Sequence, residues 1–548
     1  MRRTVITILL ALAAGGAFAQ TMADAYQFSE NNYEGTARTI AMGNAFTALG
    51  GDLGSVTINP AGSAVARYSQ FTVTPSVYIS VNNAVGAPMA DGRPNGFERQ
   101  YRNTRISGGL PNIGLGITFD THRKSGIKNW SLGFVVNVTD KYMDRAYTTG
   151  TTERTYSEAL ALAAGGFNIN DMLAKDGWDI MGAQYWHYVV GAQSGMFGRI
   201  EDNVQDTFIG ISENLKMDGD KPELDPEGNY QISPGGPVNQ KFSRNISGSK
   251  YDYAINFAMN FSDKVFIGAN LGIQSLKYRH ETLLTEISQD PYNFQTTFDE
   301  LRFKNSYETS GVGVYGKFGI IVTPFGGLRL GAAVQTPTSL LLKDRYYMSG
   351  STAFAEPTEL YKNINVESPE GDFEYRLVSP LRFNAGVAYT LGKVGVISVD
   401  YEICDYSSMR YRSADSIDDD DFIGTNDDIK ELMGQSHMLR AGLEIKPFSS
   451  FAIRAGYGLT TSPVMDYVKD DVKEYIEPKS HRFSFGFGFD SGGSFFADLA
   501  CSVRLNKETM WAYGDEVSGQ LYNKDFPLPV IENNRQIWMA AITLGLRF

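Results

Sequence analysis

Apolar and polar residues alternate along this chain at a period of two, most clearly at its C-terminal end. One face of that last segment is apolar, and the residues between are small or polar. The apolar face holds Trp538, Ala540, Ile542, Leu544, Leu546 and Phe548. Because successive side chains of a β-strand point to opposite faces, this pattern predicts a strand with one apolar face.

The same alternation recurs at 251–261, 395–404, 439–446 and 483–490. In each segment, aromatic or aliphatic residues take one face, and glycine, serine, asparagine or charged residues take the other. A soluble β-sandwich also alternates in this way. Aromatics opposite charges are typical of a transmembrane barrel, whose exterior meets lipid and whose interior meets water.

The lengths of the connections separate these two architectures. The pattern predicts 14 strands, near 70–81, 112–119, 128–140, 249–261, 264–279, 301–322, 327–347, 373–390, 394–410, 435–446, 450–460, 481–490, 494–505 and 534–548. Short connections, such as 262–263, alternate strictly with long ones, such as 348–372, 411–434, 461–480 and 506–533. Long outer loops, short periplasmic turns and an even strand count are typical of an outer-membrane β-barrel.

The N-terminal residues predict export. Arg2 and Arg3 precede an apolar stretch at 5–14, and the small residues Ala17 and Ala19 flank Phe18 just before Gln20. The stretch is too short for a membrane span of about 20 residues. We therefore predict a signal peptide over 1–19, cleaved before Gln20.

Composition excludes several classes of function. The net charge of −13 argues against a nucleic-acid partner, which needs a basic surface. The two cysteines lie on separate predicted strands, and the five histidines are scattered without the spacing of a zinc or haem site. We therefore predict no metal and no cofactor. Inward-facing Asp400, Glu402, Arg440, Glu444 and Arg454 are expected to form a polar lumen network, so an enzyme is not predicted.

Residues 20–69 precede the first predicted strand. The stretch 36–49 has the pattern of a short helix that ends at Gly50 and Gly51. A lumen enclosed by 14 strands is wide enough to pass water unless something fills it. We therefore predict that 20–69 is a plug inside the barrel, although a disordered periplasmic tail is the alternative.

The longest connection, 141–248, is predicted to be a helical extracellular insertion in the barrel of 70–548. Apolar residues at steps of three or four predict an amphipathic helix: Phe197, Ile200, Val204, Phe208, Ile211 and Leu215. Trp178 and Trp186 lie upstream in another apolar stretch. These aromatic and aliphatic residues either pack the insertion together or frame a groove for a hydrophobic ligand, and both roles stay open.

Several motifs match those of one family. They are ARTIAMGNAFTALG at 37–50, NPAG at 59–62, RLGAAVQTPT at 329–338, ISVDY at 397–401 and RAGYG at 454–458. On these motifs the chain resembles the FadL family of long-chain fatty acid and aromatic hydrocarbon transporters, in its Bacteroidetes form. The resemblance covers essentially the whole mature chain.

The resemblance implies a passive route for hydrophobic solutes. A ligand is caught at an outer groove, moves to a pocket in the barrel and, after the hatch rearranges, leaves sideways through the wall. The family's hatch motif corresponds to Asn59, Pro60 and Ala61, and we add Gly43 to the expected gating residues. The wall opening is expected near 130–139. The insertion is much larger than in the best-known members and the loops are acidic, so the resemblance leaves the ligand open.

The expected location is the outer membrane of a diderm bacterium. The expected partners are membrane lipid, lipopolysaccharide, a hydrophobic small molecule and the barrel-assembly machinery, which would read the terminal Phe548. A monomer is expected. The alternatives are a receptor for haem or another hydrophobic ligand, and a structural surface antigen or adhesin supported only by the long outer loops.

Overall fold

The computed structural model describes residues 20–548 apart from 90–91, 200–207, 227, 229, 415–419, 465, 469–470, 474–477 and 514–528. The predicted signal peptide, 1–19, lies outside the described residues. No helix within the described ranges combines the length and apolarity needed to cross a membrane.

Fourteen antiparallel strands form one closed barrel. Their bounds are β1 Gln70–Gly86, β2 Arg99–Asp120, β3 Ile127–Thr152, β4 Val238–Phe261, β5 Val265–Ser288, β6 Phe298–Val322, β7 Leu328–Gln335 with Ser339–Phe354, β8 Gly371–Val378 with Arg382–Leu391, β9 Gly395–Asp405 with Arg410–Ser413, β10 Gln435–Phe448, β11 Phe451–Thr461, β12 Pro478–Asp490, β13 Phe495–Trp511 and β14 Val530–Arg547. Each pairs with its neighbours in the chain, and β1 pairs with β14 to close the wall. The predicted barrel of 14 strands is confirmed.

Two strands are interrupted where proline occurs. β7 breaks at 336–338 around Pro337, and β8 breaks at 379–381 around Pro380. Proline has no N–H to give to the ladder, so it disturbs the pairing where it occurs. At Pro75 the strand β1 continues, but its register with β2 shifts between Thr74 and Ser76. The two breaks face each other, since the Thr338 N–H donates to Ser379 Oγ at 2.9 Å.

The two ends of the barrel differ as the alternation of connection lengths predicts. Short turns, such as 262–264 and 392–394, join the strands at one end, and the long connections lie at the other. Strands such as β3 and β4 extend further toward the long loops than the alternation of apolar and polar residues predicts. β3 and β4 stay paired as far as Thr152 and Val238, so the insertion between them is 153–237.

The outer face of the barrel carries the apolar side of the alternation. Phe483, Phe485, Phe487 and Phe489 on β12 are 41–49% exposed, while Ser484 between them is buried. Soluble monomers rarely expose an apolar surface this continuous. It fits a wall that faces lipid.

Two helices of the N-terminal segment, α1 Met22–Ser29 and α2 Ala37–Ala41, come first in the chain, and the insertion contains the helices α3 Tyr156–Ala164, α4 Ile169–Leu173, α5 Gly177–Met181 and α6 Trp186–Gln193. The helix predicted from Phe197 onward is wrong in its described parts. Phe197–Arg199 and Phe208–Gly210 are instead paired antiparallel strands. The ring centroids of Phe197 and Phe208 lie 5.1 Å apart. The two apolar residues therefore meet across this pair of strands and not along one face of a helix.

The N-terminal segment fills the barrel interior. It contains α1 Met22–Ser29, α2 Ala37–Ala41 and the 3-10 helices Leu53–Ser55 and Pro60–Val65. Its polar contacts reach well-separated strands of the wall: the Ala37 N–H donates to Thr543 of β14 at 2.6 Å, and the Thr47 N–H donates to Asp400 of β9 at 2.7 Å. We call residues 20–66 the hatch.

The helix predicted over 36–49 is much shorter in the structure. It ends at Ala41, because Gly43 and Asn44 both take left-handed backbone conformations, with φ of 63° and 60°. Such a residue pair terminates a helix. The chain then runs in turns across the lumen.

Candidate functional site

The motif residue Asn59 joins the hatch to the wall. It is fully buried and caps the 3-10 helix that begins at Pro60, with its Oδ1 accepting from the Ala61 N–H at 3.0 Å. Its Nδ2 donates to the Thr47 carbonyl at 2.6 Å and to the Ile320 carbonyl of β6 at 3.2 Å. One side chain therefore connects two hatch turns and a strand.

Glycines of the wall make room for this motif. A Cβ on Gly319 would lie 1.9 Å from Asn59 Oδ1, and a Cβ on Gly268 would lie 2.5 Å from the Pro60 carbonyl. On the hatch side, a Cβ on Gly43 would lie 3.0 Å from the backbone of Ala441 and Tyr457. The hatch therefore sits directly against the wall backbone at several strands.

Cationic side chains of the wall also hold hatch carbonyls. Arg329 donates to the Leu49 carbonyl at 2.6 Å, and Lys317 donates to that of Thr57 at 2.7 Å. Lys250 donates to the Phe28 carbonyl at 2.9 Å. Each bond brings a charged donor to a neutral acceptor, which is stronger than a neutral pair. The sequence analysis missed these anchors, because they depend on which strand faces which hatch turn.

The charged lumen residues are buried together with the hatch. Glu444 accepts from Arg454 at 2.7 Å and from Arg38 of the hatch at 2.9 Å, and Arg454 also contacts Asp498 at 2.5 Å. Arg440 lies 3.6 Å from Glu402. These pairs form the expected interior network and extend it to the hatch.

The wall itself is interrupted between β2 and β3. Residues 112–120 of β2 pair with 129–137 of β3, and pairing resumes only at Arg99 and Gln100. Between these stretches, residues 101–111 and 138–147 do not pair with each other, although each keeps its ladder to β1 or β4. The gap adjoins the C-terminal end of residues 130–139, the region in which the wall opening was expected.

β3 bends into the lumen beside this gap. Met143 packs with Tyr78 of β1 and with Ile537 and Met539 of β14, which are buried residues of the inner face. The Ser80 hydroxyl donates to the Met143 carbonyl at 3.2 Å. Between Asn137 and Asp144 the alternation of burial is lost, because both faces of the strand are covered.

The hatch covers the inner side of the gap. The Asn32 N–H donates to the Thr139 carbonyl at 2.6 Å, and the Glu34 N–H donates to the Val138 carbonyl at 2.9 Å. The Tyr78 hydroxyl of β1 also donates to Glu34. Residues 32–34 thus take the place beside β3 that β2 leaves open.

A cavity of about 770 Å³ lies between the hatch and the insertion. Helix α1 and residues 140–142 of the bent β3 form its sides next to the gap. Its apolar lining includes Tyr156, Leu160, Leu284, Phe303 and Trp511, and its charged lining includes Arg244, Lys479, Arg504 and Glu508. Arg244 pairs with Glu508 at 2.7 Å, and Lys479 pairs with Glu30 at 2.9 Å. The cavity is therefore amphipathic.

The residues predicted to bind ligand lie elsewhere. Phe197 and Phe208 are buried in the core of the insertion, and Trp186 packs on Trp178 at 5.6 Å and on Tyr346 at 5.1 Å. None of these four lines the cavity. Ile200 and Val204 lie outside the described residues. The structure shows the packing role that the sequence left open, and a role of these residues in ligand binding stays a prediction.

Two histidines that look scattered in the sequence line this cavity together, His187 from α6 and His280 from β5. Burial lowers the pKa of His187 to about 4, which keeps its ring neutral at pH 7. Within the described part of the chain, no group of three His, Cys, Asp or Glu side chains is placed to hold a metal ion.

No protein-family model and no curated protein matches this sequence. Solved structures do resemble it. A Pseudomonas aeruginosa FadL homologue superposes with a TM-score of 0.51 at 10% identity, covering 95% of this chain and 100% of that one. The toluene transporter TodX of P. putida gives a TM-score of 0.50 at 12% identity, covering 94% and 99%. At such low identity the likeness establishes a shared fold.

Proposed function

We propose that this protein is an outer-membrane channel that passes small hydrophobic molecules without energy input. The solute enters at the long-loop end, which we take as extracellular, and occupies the amphipathic cavity. The hatch then shifts, and the solute leaves sideways through the gap between β2 and β3. The observation that carries the proposal is this gap, which adjoins the cavity and is covered on its inner side by residues 32–34 of the hatch.

Sideways release suits an apolar solute. Each Å² of apolar surface moved into water costs about 25 cal/mol, so a route straight through a hydrated, charged lumen is unfavourable. A wall opening at membrane depth lets the solute pass into hydrocarbon instead. Long-chain fatty acids and monoaromatic hydrocarbons are the solutes we propose. The toluene transporter with the same fold supports the second class.

Uptake by cells tests this proposal. Radiolabelled oleate and toluene are supplied to a deletion strain that carries the wild-type protein or the double variant Asn59→Ala with Pro60→Ala. Loss of the Asn59 bonds to Thr47 and Ile320 should leave the barrel assembled but slow uptake. The matched control changes Pro291 and Asn293, in the exposed β5–β6 loop, to alanine. Equal uptake by all three proteins would contradict hatch gating.

A haem-like ligand is a second candidate, because His187 and His280 line one cavity that also has apolar and cationic walls. A planar apolar ring with two carboxylates would match such walls. Titrating the purified protein with haemin would give a shifted Soret band that is lost in His187→Ala or His280→Ala. An unchanged spectrum of free haemin would exclude this candidate.

A further inference from the structure

The first described residues of the chain lie against a buried carboxylate. Gln20 Nε2 is 3.4 Å from Asp344 Oδ2 on β7, and Asp344 is only 1% exposed. Thr309 Oγ1 and the Tyr375 hydroxyl donate to the other oxygen of Asp344 at 2.6 and 3.1 Å. Gln20 is also the residue before which the signal peptide is predicted to end.

The partners of Asp344 are all neutral. Among the residues that the structure describes, no lysine, arginine or histidine pairs with this carboxylate, and the nearest charge that acts on it is the carboxylate of Asp24. Burying an ionised carboxylate is costly unless a cation accompanies it. The site therefore favours a positive charge beside Asp344.

The neighbouring chain is held firmly enough to place such a charge. The Tyr411 hydroxyl donates to the Thr21 carbonyl at 3.0 Å, and Thr21 caps α1 through reciprocal bonds with Asp24. The Tyr307 hydroxyl of β6 donates to Asp24 at 3.0 Å. Residue 20 is thus tethered one residue before a fixed helix start.

We propose that signal-peptide removal completes the hatch by creating the cation that Asp344 needs. Signal peptidase hydrolyses the amide between Ala19 and Gln20, and water supplies the atoms. The carboxylate stays on Ala19, and the Gln20 nitrogen becomes an ammonium group. That ammonium lies at the base of the side chain whose amide reaches Asp344, and it forms an ion pair with Asp344 that locks α1 against β7. This lock does not depend on which solute the cavity takes.

The reactivity of the α-amine tests the lock on the mature protein extracted from outer membranes. The protein is acetylated with an N-hydroxysuccinimide ester at pH 7, digested with trypsin and analysed by mass spectrometry. The peptide 20–38 contains no lysine, so its acetylation reports the α-amine alone. We expect about tenfold faster acetylation in Asp344→Asn than in the wild type, as for a one-unit change in amine pKa.

Two further variants complete the design. Asp372→Asn removes an exposed carboxylate on β8 that pairs with Lys343 at 2.6 Å, and it should acetylate at the wild-type rate. Inserting one glycine between positions 19 and 20 moves the ammonium by a residue while keeping Asp344, and it should acetylate faster. Heat-modifiable migration on gels confirms that each barrel is folded. Equal rates in all proteins, a mature N-terminus other than Gln20, or cyclisation of Gln20 with loss of ammonia would overturn the proposal.

Discussion

Single atoms decide how closely the hatch approaches the wall. Asn59 Oδ1 occupies the place that a Cβ on Gly319 would take, and the Pro60 carbonyl does the same at Gly268. Close-packed interiors respond to the addition of even one methyl group. Adding a methyl group where the hatch contacts the wall should therefore disturb hatch docking more than changing an exposed charge would.

Gly319→Ala should weaken the docking of the hatch on the wall. The new methyl group would lie 1.9 Å from Asn59 Oδ1 and 2.9 Å from Pro60 Cδ, so the motif must move. We expect a loss of about 1–3 kcal/mol in hatch docking, typical of overpacking. Hydrogen exchange of the peptides covering 44–66 should show faster exchange.

The matched control is Gly316→Ala on the same strand, where the nearest atom lies 3.8 Å from the added Cβ. Its hatch exchange should equal that of the wild type. If both variants behave alike, close contact at Gly319 is not what holds the motif.

At the level of the elements, the sequence predicted the strands better than the places where they fail to pair. Alternation locates β12 and β14 because lipid and lumen act on every second side chain. The predicted count of fourteen strands rests partly on the family resemblance, so the count does not test that resemblance independently. The β2–β3 gap has no such local signal, because pairing depends on the inward bend of β3 around Met143.

In the insertion, the sequence pattern predicts a helix where the structure has strands. Steps of three and four from Phe197 to Phe208 fit a helix, yet the described ends of this stretch pair as strands. Short apolar segments carry no reliable period, and tertiary contact between the two rings decides the outcome. The cavity lining likewise comes from distant strands and from α1, so the sequence alone did not assemble it.

The insertion should be less stable at alkaline pH. Burial and the neighbouring Glu158 raise the pKa of Glu213 to about 7, against about 4.3 in an unfolded chain. The folded insertion therefore binds more protons between these values, and its stability falls as pH rises through that range. Amides of 153–237 should exchange faster at pH 8 than at pH 5 after correction for intrinsic rates.

Glu213→Gln removes this titration and should flatten the difference between the two pH values. Glu223→Gln, at an exposed position of the same insertion, should leave it unchanged. A pH response that survives in Glu213→Gln would place its origin in another group.

At the scale of the whole molecule, the barrel, hatch and insertion together surround a cavity, and the β2–β3 ladder beside that cavity is incomplete. The hatch contacts several strands through backbone carbonyls and charged side chains, and it lines the gap through Asn32 and Glu34. In the proposed mechanism, the wall opens to a solute when this hatch segment moves away from β3.

A reversible disulfide between the hatch and β3 tests whether this movement is needed. In a Cys501→Ser background, Asn32→Cys with Thr139→Cys would join hatch and β3 by a disulfide, and Ser310→Cys with Lys343→Cys would join register partners in the β6–β7 wall as a control. Hydrocarbon uptake by cells should stop when the hatch pair is oxidised, return on reduction and stay at the wild-type rate in the control. Uptake at the wild-type rate with the hatch disulfide fully formed would show that the solute does not need hatch movement to cross the wall.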